Sequence, residues 1–232
     1  MLATAVEDGL ITHNPGSAVR IAGRRDGYED RERRILTREE IAALFAELPT
    51  DWRPFFELLL QTGVRISEAV GLQWDDIVLE ASPHVRVRRQ VCRGRVKPPK
   101  SRYGRRDIPL SPGMAATLAS RPRNGGPVFA SSSGGCLDVS NVRSRVLRPA
   151  ADRARVGRVG FHTFRHTCAS LLFGAGKDLK QVQHWLGHHD PAFTLSTYIH
   201  LLDGGLGGAE FFDALPGVNE SPRTPDLEWG SE

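Results

Sequence analysis

Three short segments near the middle of the chain have the alternating pattern of β-strands, whereas the segments on both sides have helical spacing. The strand-like segments are residues 75–80, 84–91 and 105–110, and a polar turn around Pro98–Gly104 precedes the last of them. So short a run of strands between helices cannot build a large sheet. The order predicts a mainly α-helical fold of the α+β class, with a small antiparallel β-sheet inserted after the third helix.

The predicted helices have recognisable first and last residues. Thr37 and Glu40 form a capping-box pattern before a run with helical spacing. The second helix, "DWRPFFELLLQTG", ends at Gly63, and the third is the short segment "RISEAVGLQW". The remaining predicted helices are residues 1–13, 112–120, 141–154, a segment from about 163, 178–187 and 191–202.

Composition limits the classes of protein that the chain can belong to. It contains no apolar stretch of the ~18 residues that a membrane span requires. Its three cysteines lack the spacing of a zinc knuckle and are odd in number, which argues against a disulfide framework. These features predict a cytoplasmic protein with no membrane partner.

Positive charge is concentrated in the strand region. Ten Arg or Lys residues, and no acidic residue, lie between Glu80 and Asp107. A block of one sign is typical of a solvated tail or of an anion-binding surface. Because Val85 and Val87 alternate with arginines as in a strand, we favour the surface, with a long polyanion as its partner.

The segment "GFHTFRHTCASLL" places His162, Arg165 and His166 at the beginning of a helix and allows three kinds of chemistry. A metal site would use His184 and His188, but Leu186 and Gly187 end the predicted helix between them, and no further ligand has suitable spacing. An acyl-transfer site requires a nucleophile in a recognisable turn, such as GxSxG, which the sequence does not contain. An anion site remains.

Arg65 and Arg165 favour the anion site. Both have apolar neighbours in sequence, which predicts side chains directed into a half-buried pocket. Two planar guanidiniums suit a phosphodiester, which each can contact twice. The alternative for either arginine is a structural ion pair, which for Arg65 would be formed with Glu68.

Four segments together resemble the catalytic domain of the tyrosine recombinases, or phage integrases. They are "QTGVRISEAVGLQWDDI", "KSRYGRRDIPL", "HTFRHTCASLL" and "LGHHDPAFTLSTYIHLL", in the order and with the spacing of that family. The finer resemblance is to integrases of actinobacterial phages and integrative elements. The match implies a catalytic domain at residues 33–216, preceded by a remnant of a core-binding domain and a linker at 1–32, and followed by a disordered tail at 217–232.

The resemblance implies a catalytic role for six residues. Tyr198 would attack a DNA phosphate and form a 3′-phosphotyrosyl bond, while Arg65 and Arg165 hold the non-bridging oxygens. His162 would act as acid or base near the tyrosine, and His188 would donate a hydrogen bond to the phosphate. Lys100 would protonate the leaving 5′-oxygen, which arginine cannot do at neutral pH. No cofactor and no metal is implied.

The predicted partners are double-stranded DNA and other recombinase protomers. The chain is expected to be a monomer when free and to form a tetramer on paired DNA sites. The predicted DNA-binding residues are Arg86, Arg88, Arg93, Arg95, Lys97, Arg102 and Arg105. The sequence departs from the family in having only the last helix of the core-binding domain. The alternative hypothesis is therefore a truncated, catalytically idle DNA-binding remnant.

Overall fold

The computed structural model describes residues 6–14, 34–92, 94–99, 102–123 and 125–188. In the described part of the predicted helix at 1–13, Val6 and Glu7 are helical and residues 8–13 form turns and bends, so that prediction is wrong beyond Glu7. The first complete helix is α1, Arg38–Glu47, in which Glu40 and Thr37 cap each other as the sequence predicts. A 3₁₀ turn at Thr50–Trp52 leads into α2, Arg53–Thr62, and α3 follows at Ile66–Ala69. Gly63 ends α2 in the left-handed conformation, with φ of 58°, which favours glycine.

Five short strands follow and form two small antiparallel sheets. They are β1 Ile77–Val78, β2 His84–Val87, β3 Gln90–Cys92, β4 Arg95–Lys97 and β5 Arg106–Pro109. The first sheet has the order β1-β2-β5, with Val85 opposite Ile108. The second consists of the β3–β4 hairpin, with Val91 opposite Val96. A 3₁₀ turn at Arg102–Gly104 leads into β5.

Five helices follow the sheets in the described chain, and turns and bends lie within residues 121–123 and 125–137. The helices are α4 Pro112–Ala119, α5 Val139–Asn141, α6 Arg148–Arg153, α7 Phe161–Gly174 and α8 Leu179–Leu186. A π-helical turn at Val142–Leu147 connects α5 to α6 without interrupting the helical path. Among the described residues, no helix is long and apolar enough to cross a membrane.

Aromatic residues of α2 and α7 pack at the centre of the core. The rings of Phe55 and Phe56 lie 5.3 Å apart, and those of Phe56 and Phe164 lie 5.4 Å apart. A smaller cluster that includes Cys168, Val182 and Leu186 joins α7 to α8. This packing holds the ends of α2, α7 and α8 close together.

The predicted fold class is confirmed, and one predicted strand is wrong. Residues 84–91 do not form a single strand, because the chain leaves the first sheet after Val87 and enters the second at Gln90. Between them, Arg88 pairs with Asp107 at 2.6 Å and Arg89 with Asp76 at 3.3 Å. These two ion pairs occupy the connection where the chain passes from one sheet to the other. The predicted domain boundaries at residues 32 and 216, the helix at 191–202 and the tail lie outside the described residues.

Candidate active site

The carboxyl end of α8 is where the candidate site is assembled. Three consecutive backbone carbonyl oxygens there each accept a hydrogen bond from a different arginine. Arg106 donates to Trp185 at 2.7 Å, Arg165 to Leu186 at 2.8 Å, and Arg65 to Gly187 at 3.4 Å. The last carbonyls of a helix have no partner within the helix and carry partial negative charge. The arginines supply both the missing hydrogen-bond donors and a compensating positive charge. His188 is the next residue after Gly187.

Arg165 connects the ends of two helices. Its side chain extends from the first turns of α7, and one Nη atom donates to the carbonyl of Gly63 at 2.6 Å, at the end of α2. The other Nη atom donates to Leu186 in α8. The residue is only 5% exposed, so its charge is fixed in place by the surrounding backbone.

Arg65 lies just before α3 and is paired with Glu68, the ion pair that the sequence suggested. Its Nη1 donates to one carboxylate oxygen at 2.9 Å, and its backbone N–H donates to the other, also at 2.9 Å. Glu68 is thereby the cap of its own helix. The Arg65 side chain remains 38% exposed, so this pairing still leaves it accessible to a ligand.

Arg106 is a residue of this site that the sequence analysis did not single out. Its side chain is fully buried, and its Nη2 donates to Glu68 at 3.0 Å. Burial by itself would raise the pKa of Glu68, but the attraction of Arg106 and Arg65 outweighs it and holds that pKa below its usual value. Alternation in β5 was the available signal, since Arg106 is two residues from the buried Ile108 and shares its side of the strand.

The two predicted catalytic histidines, His162 and His188, lie near the arginines. Burial, followed by the charges of Arg165, Arg65 and Arg106, lowers the pKa of His188 to about 3. Partial desolvation, followed by the charges of Arg165, Arg65 and Arg143, also lowers the pKa of His162. Both imidazoles are therefore neutral at neutral pH and can accept a proton or donate one hydrogen bond.

The predicted DNA-binding residues do not all have the same surroundings. Arg86, Arg95, Lys97 and Arg105 are exposed, whereas Arg88 is partly buried in its pair with Asp107.

The β3–β4 hairpin is exposed along β4, and a cleft of about 210 Å³ lies between Tyr103 and α8, beside His188. In sequence, the basic β3–β4 hairpin thus precedes the Arg102–Gly104 turn, which contributes Tyr103 to this cleft.

Four of the six predicted catalytic residues lie in the described part of the chain, and two do not. The structure brings Arg65, Arg165, His162 and His188 together around the end of α8. Lys100, Tyr198, Arg93 and the side chain of Arg102 lie outside the described residues.

The alternative chemistries gain no support from the described residues. Among them, no group of three or more His, Cys, Asp or Glu side chains is arranged to hold a metal ion. The thiol of Cys168 is buried, which raises its pKa to about 12, and a thiol in that state is not an activated nucleophile.

Comparison with known proteins identifies the family. Residues 34–204 match the model of the phage integrase family. The chain is 34% identical over 176 residues to the tyrosine recombinase XerC of Xylella fastidiosa, covering 72% of this chain and 56% of that protein. It is 27% identical over 232 residues to a XerC-like tyrosine recombinase of Caldanaerobacter subterraneus, covering 85% and 59%. The chain therefore spans a little over half the length of these curated relatives.

A solved structure shares the fold. The integrase of the transposon Tn1549, determined in complex with a circular intermediate DNA, superimposes with a TM-score of 0.66 at 21% identity, covering 84% of this chain and 70% of that one. At this identity the likeness concerns the fold alone, and the finer prediction of actinobacterial relatives stays a prediction. The sequence match, which extends over most of the chain, decides the family: this chain belongs to the phage integrases, the tyrosine recombinases.

Proposed function

We propose that the chain cleaves and rejoins DNA in site-specific recombination, through a covalent bond between Tyr198 and a DNA 3′-phosphate. The observation that carries this proposal is the convergence of Arg65 and Arg165 on the last carbonyls of α8, directly before His188. A phosphodiester gains negative charge on its non-bridging oxygens as a nucleophile attacks. Fixed cations beside it stabilise that charge without having to reorganise.

The neutral histidines suit the proton transfers of this reaction. A tyrosine hydroxyl has an ordinary pKa of about 10 and needs a base or nearby cations to attack at neutral pH. His162 has a lowered pKa and is the base that we assign to the Tyr198 hydroxyl. His188 is held beside the arginines and is the donor that we assign to a non-bridging oxygen.

The proposed cleavage step is balanced in atoms and charge. The Oη atom of Tyr198 forms a bond to phosphorus, its proton passes to His162, and the bond from phosphorus to the 5′-oxygen breaks. Lys100 protonates the departing 5′-oxygen, a role assigned by resemblance to the family and by its position before the Arg102–Gly104 turn. Rejoining is the reverse reaction with a 5′-hydroxyl as nucleophile, so the bond energy is retained and no nucleotide is consumed.

The exposed basic residues of β2, β4 and the approach to β5 support double-stranded DNA as the partner. Arg86, Arg95, Lys97 and Arg105 are exposed, and side chains of this kind bind phosphates without reading the base sequence. Recombination exchanges four strands, so we further propose that the chain acts as a tetramer on two paired DNA sites and is a monomer when free.

A nicked duplex tests the proposed reaction. Such a substrate loses a short 5′-hydroxyl strand after cleavage and traps the enzyme on the 3′-phosphate. We expect a protein–DNA adduct that survives denaturant with the unaltered chain and no adduct with Tyr198→Phe, while both bind the duplex with equal affinity. Absence of the adduct with the unaltered chain, together with retained DNA binding, would instead support the idle DNA-binding remnant.

A further inference from the structure

We propose that Arg106 is a positioning residue: it fixes the end of α8, and with it His188 and Arg65, relative to the turn that precedes β5. Its catalytic meaning rests on the proposed function, whereas its positioning role concerns the free protein. Arg106 makes no contact with DNA in this proposal and acts only through its neighbours.

The contacts of Arg106 reach three separate elements. Its Nε donates to the carbonyl of Trp185 in α8 at 2.7 Å, and its Nη1 donates to Gly104, in the turn, at 3.1 Å. Its Nη1 and Nη2 approach the two oxygens of Glu68 in α3, at 3.4 and 3.0 Å. A planar guanidinium with five donors in fixed directions suits such a junction, whereas the ammonium of lysine does not.

The ion pair between Arg106 and Glu68 is buried. The Arg106 side chain is 0% exposed and that of Glu68 is 3% exposed. Burial lowers the pKa of Arg106, and the charge of Glu68 opposes that shift. A buried ion pair is weak evidence for stability, because apolar residues of similar volume often serve a core equally well. Its directional hydrogen bonds, which apolar residues cannot reproduce, are what this pair adds to the site.

Gly187 packs closely against Arg106. Gly187 has φ of 70°, and a Cβ atom placed there would lie 2.8 Å from Nη1 of Arg106 and 2.9 Å from the carbonyl oxygen of Tyr103. The backbone just before His188 therefore touches both the arginine and the turn. Any movement of Arg106 changes the space that the end of α8 occupies.

Through these contacts Arg106 joins the elements that carry Arg65 and His188 to the turn that precedes β5. Glu68, which it holds, is also the partner of Arg65, and Trp185 lies three residues before His188. The turn that it holds comes directly after the segment with Lys100. Arg106 thus fixes the position of the end of α8 and of Glu68 relative to the turn that precedes β5.

Two variants and two controls test the proposal in the free protein. Arg106→Lys keeps the charge but loses the fork of hydrogen bonds, and Gly187→Ala displaces Arg106 without removing it. The first control is Arg153→Lys, which alters an exposed arginine that also binds a carboxylate and a carbonyl, those of Glu47. The second is Gly176→Ala, at a helix end with φ of 75° and open space where the Cβ atom would lie.

The primary readout is the NMR titration of His188 without DNA, which does not depend on cleavage. If the end of α8 moves outward, His188 loses burial and moves away from Arg65 and Arg165. Its pKa then rises from about 3 toward the ordinary value of about 6.5. We expect a rise of about one unit or more in Arg106→Lys and Gly187→Ala, and no change in either control. The second readout is the rate of adduct formation on the nicked duplex, which we expect to fall about 100-fold, with DNA affinity unchanged.

The outcomes separate this proposal from the proposed function. An unaltered His188 titration in both variants overturns the positioning role, even where the variants melt at a lower temperature, because lost stability alone does not move that titration. A raised pKa with no adduct from the unaltered chain supports the positioning role and contradicts DNA cleavage. A raised pKa with an unchanged rate of adduct formation overturns the catalytic meaning of Arg106.

Discussion

Arg65 and Arg165 donate to neighbouring carbonyl oxygens of the same short backbone segment, Arg65 to Gly187 at 3.4 Å and Arg165 to Leu186 at 2.8 Å. The two guanidiniums approach this segment from different helices, because Arg65 precedes α3 and Arg165 lies within α7. The end of α8 thus sets their spacing. A change to either arginine affects the backbone that positions the other.

The first prediction concerns how differently these arginines tolerate lysine. Arg165→Lys cannot reach both Gly63 and Leu186, so one buried carbonyl loses its donor, which costs about 1–3 kcal/mol of unfolding free energy. Arg65→Lys should cost less, since the side chain of Arg65 is 38% exposed. Both should slow adduct formation by about 100-fold or more. Urea unfolding and the nicked duplex measure the two effects, and equal losses of stability would contradict this ranking.

The second prediction concerns pH. The pKa of His188 is about 3 in the folded chain and about 6.5 in the unfolded chain. Between these values the unfolded chain binds a proton that the folded chain excludes. The contribution of His188 to the free energy of unfolding is therefore fully present above about pH 6.5 and is lost as the pH is lowered. The slope from this group is at most about 1.4 kcal/mol per pH unit.

Unfolding measured between pH 7 and pH 5 includes this effect and a contribution of the same sign from His162, whose pKa is also lowered. Glu68 stays ionised there, because its pKa is held below its usual value, so the change caused by His188→Asn reports on His188. We expect His188→Asn to reduce the slope. His84→Asn, at the first residue of β2 and half-buried, is the matched control. A slope that His188→Asn leaves unaltered would mean that His188 titrates normally in the folded chain.

The third prediction concerns the end of α2. A Cβ atom at Gly63 would lie 2.6 Å from Cδ2 of Leu186 and 3.0 Å from Sγ of Cys168, and φ is 58° there. The left-handed conformation alone costs about 1–2 kcal/mol for alanine, and overpacking adds about 1–3 kcal/mol. At Gly157 φ is 70° and a Cβ atom would meet open space, so Gly157→Ala carries the cost of the left-handed conformation without that of overpacking. The free energy of unfolding of both variants, measured in urea, compares them. Equal destabilisation of the two variants would contradict the packing described for α2 and α8.

The fourth prediction concerns the salt dependence of DNA binding. Arg95 is exposed on β4, and we expect Arg95→Gln to reduce the log–log slope of affinity against salt by about 0.9, the value for one phosphate contact. Arg89 pairs with the buried Asp76 at 3.3 Å, so Arg89→Gln should change the slope less and the stability more. Titrations at several salt concentrations compare them, and a larger slope change for Arg89→Gln would reverse the assignment.

Much of this fold is encoded in local sequence, and the exceptions have physical causes. The Thr37–Glu40 capping box, and the glycines that end α2 and α8, depend on neighbours a few residues away, so their patterns predict them correctly. At the break between β2 and β3, Arg88 and Arg89 pair with Asp107 and Asp76, which lie elsewhere in the chain. No local pattern distinguishes these arginines from others in a basic strand.

The site shows the same limit. Arg65 and Arg165 stand out because each is charged within an apolar context. Arg106 lies in a basic run, where a charge is unremarkable, and only its inward register in β5 marks it as buried. Its hydrogen bonds to Trp185 and Glu68 come from tertiary packing, which alternation alone does not predict.

The use of α8 as an acceptor for three arginines also has a consequence for synthesis on the ribosome. Arg65, Arg106 and Arg165 are all translated before Trp185, Leu186 and Gly187, whose carbonyls they bind. Until the segment with these three carbonyls has left the ribosome, the arginines lack the acceptors that fix their arrangement. The nascent chain is therefore basic before its guanidiniums are aligned, and the three arginines reach their common arrangement only after Gly187 has been translated.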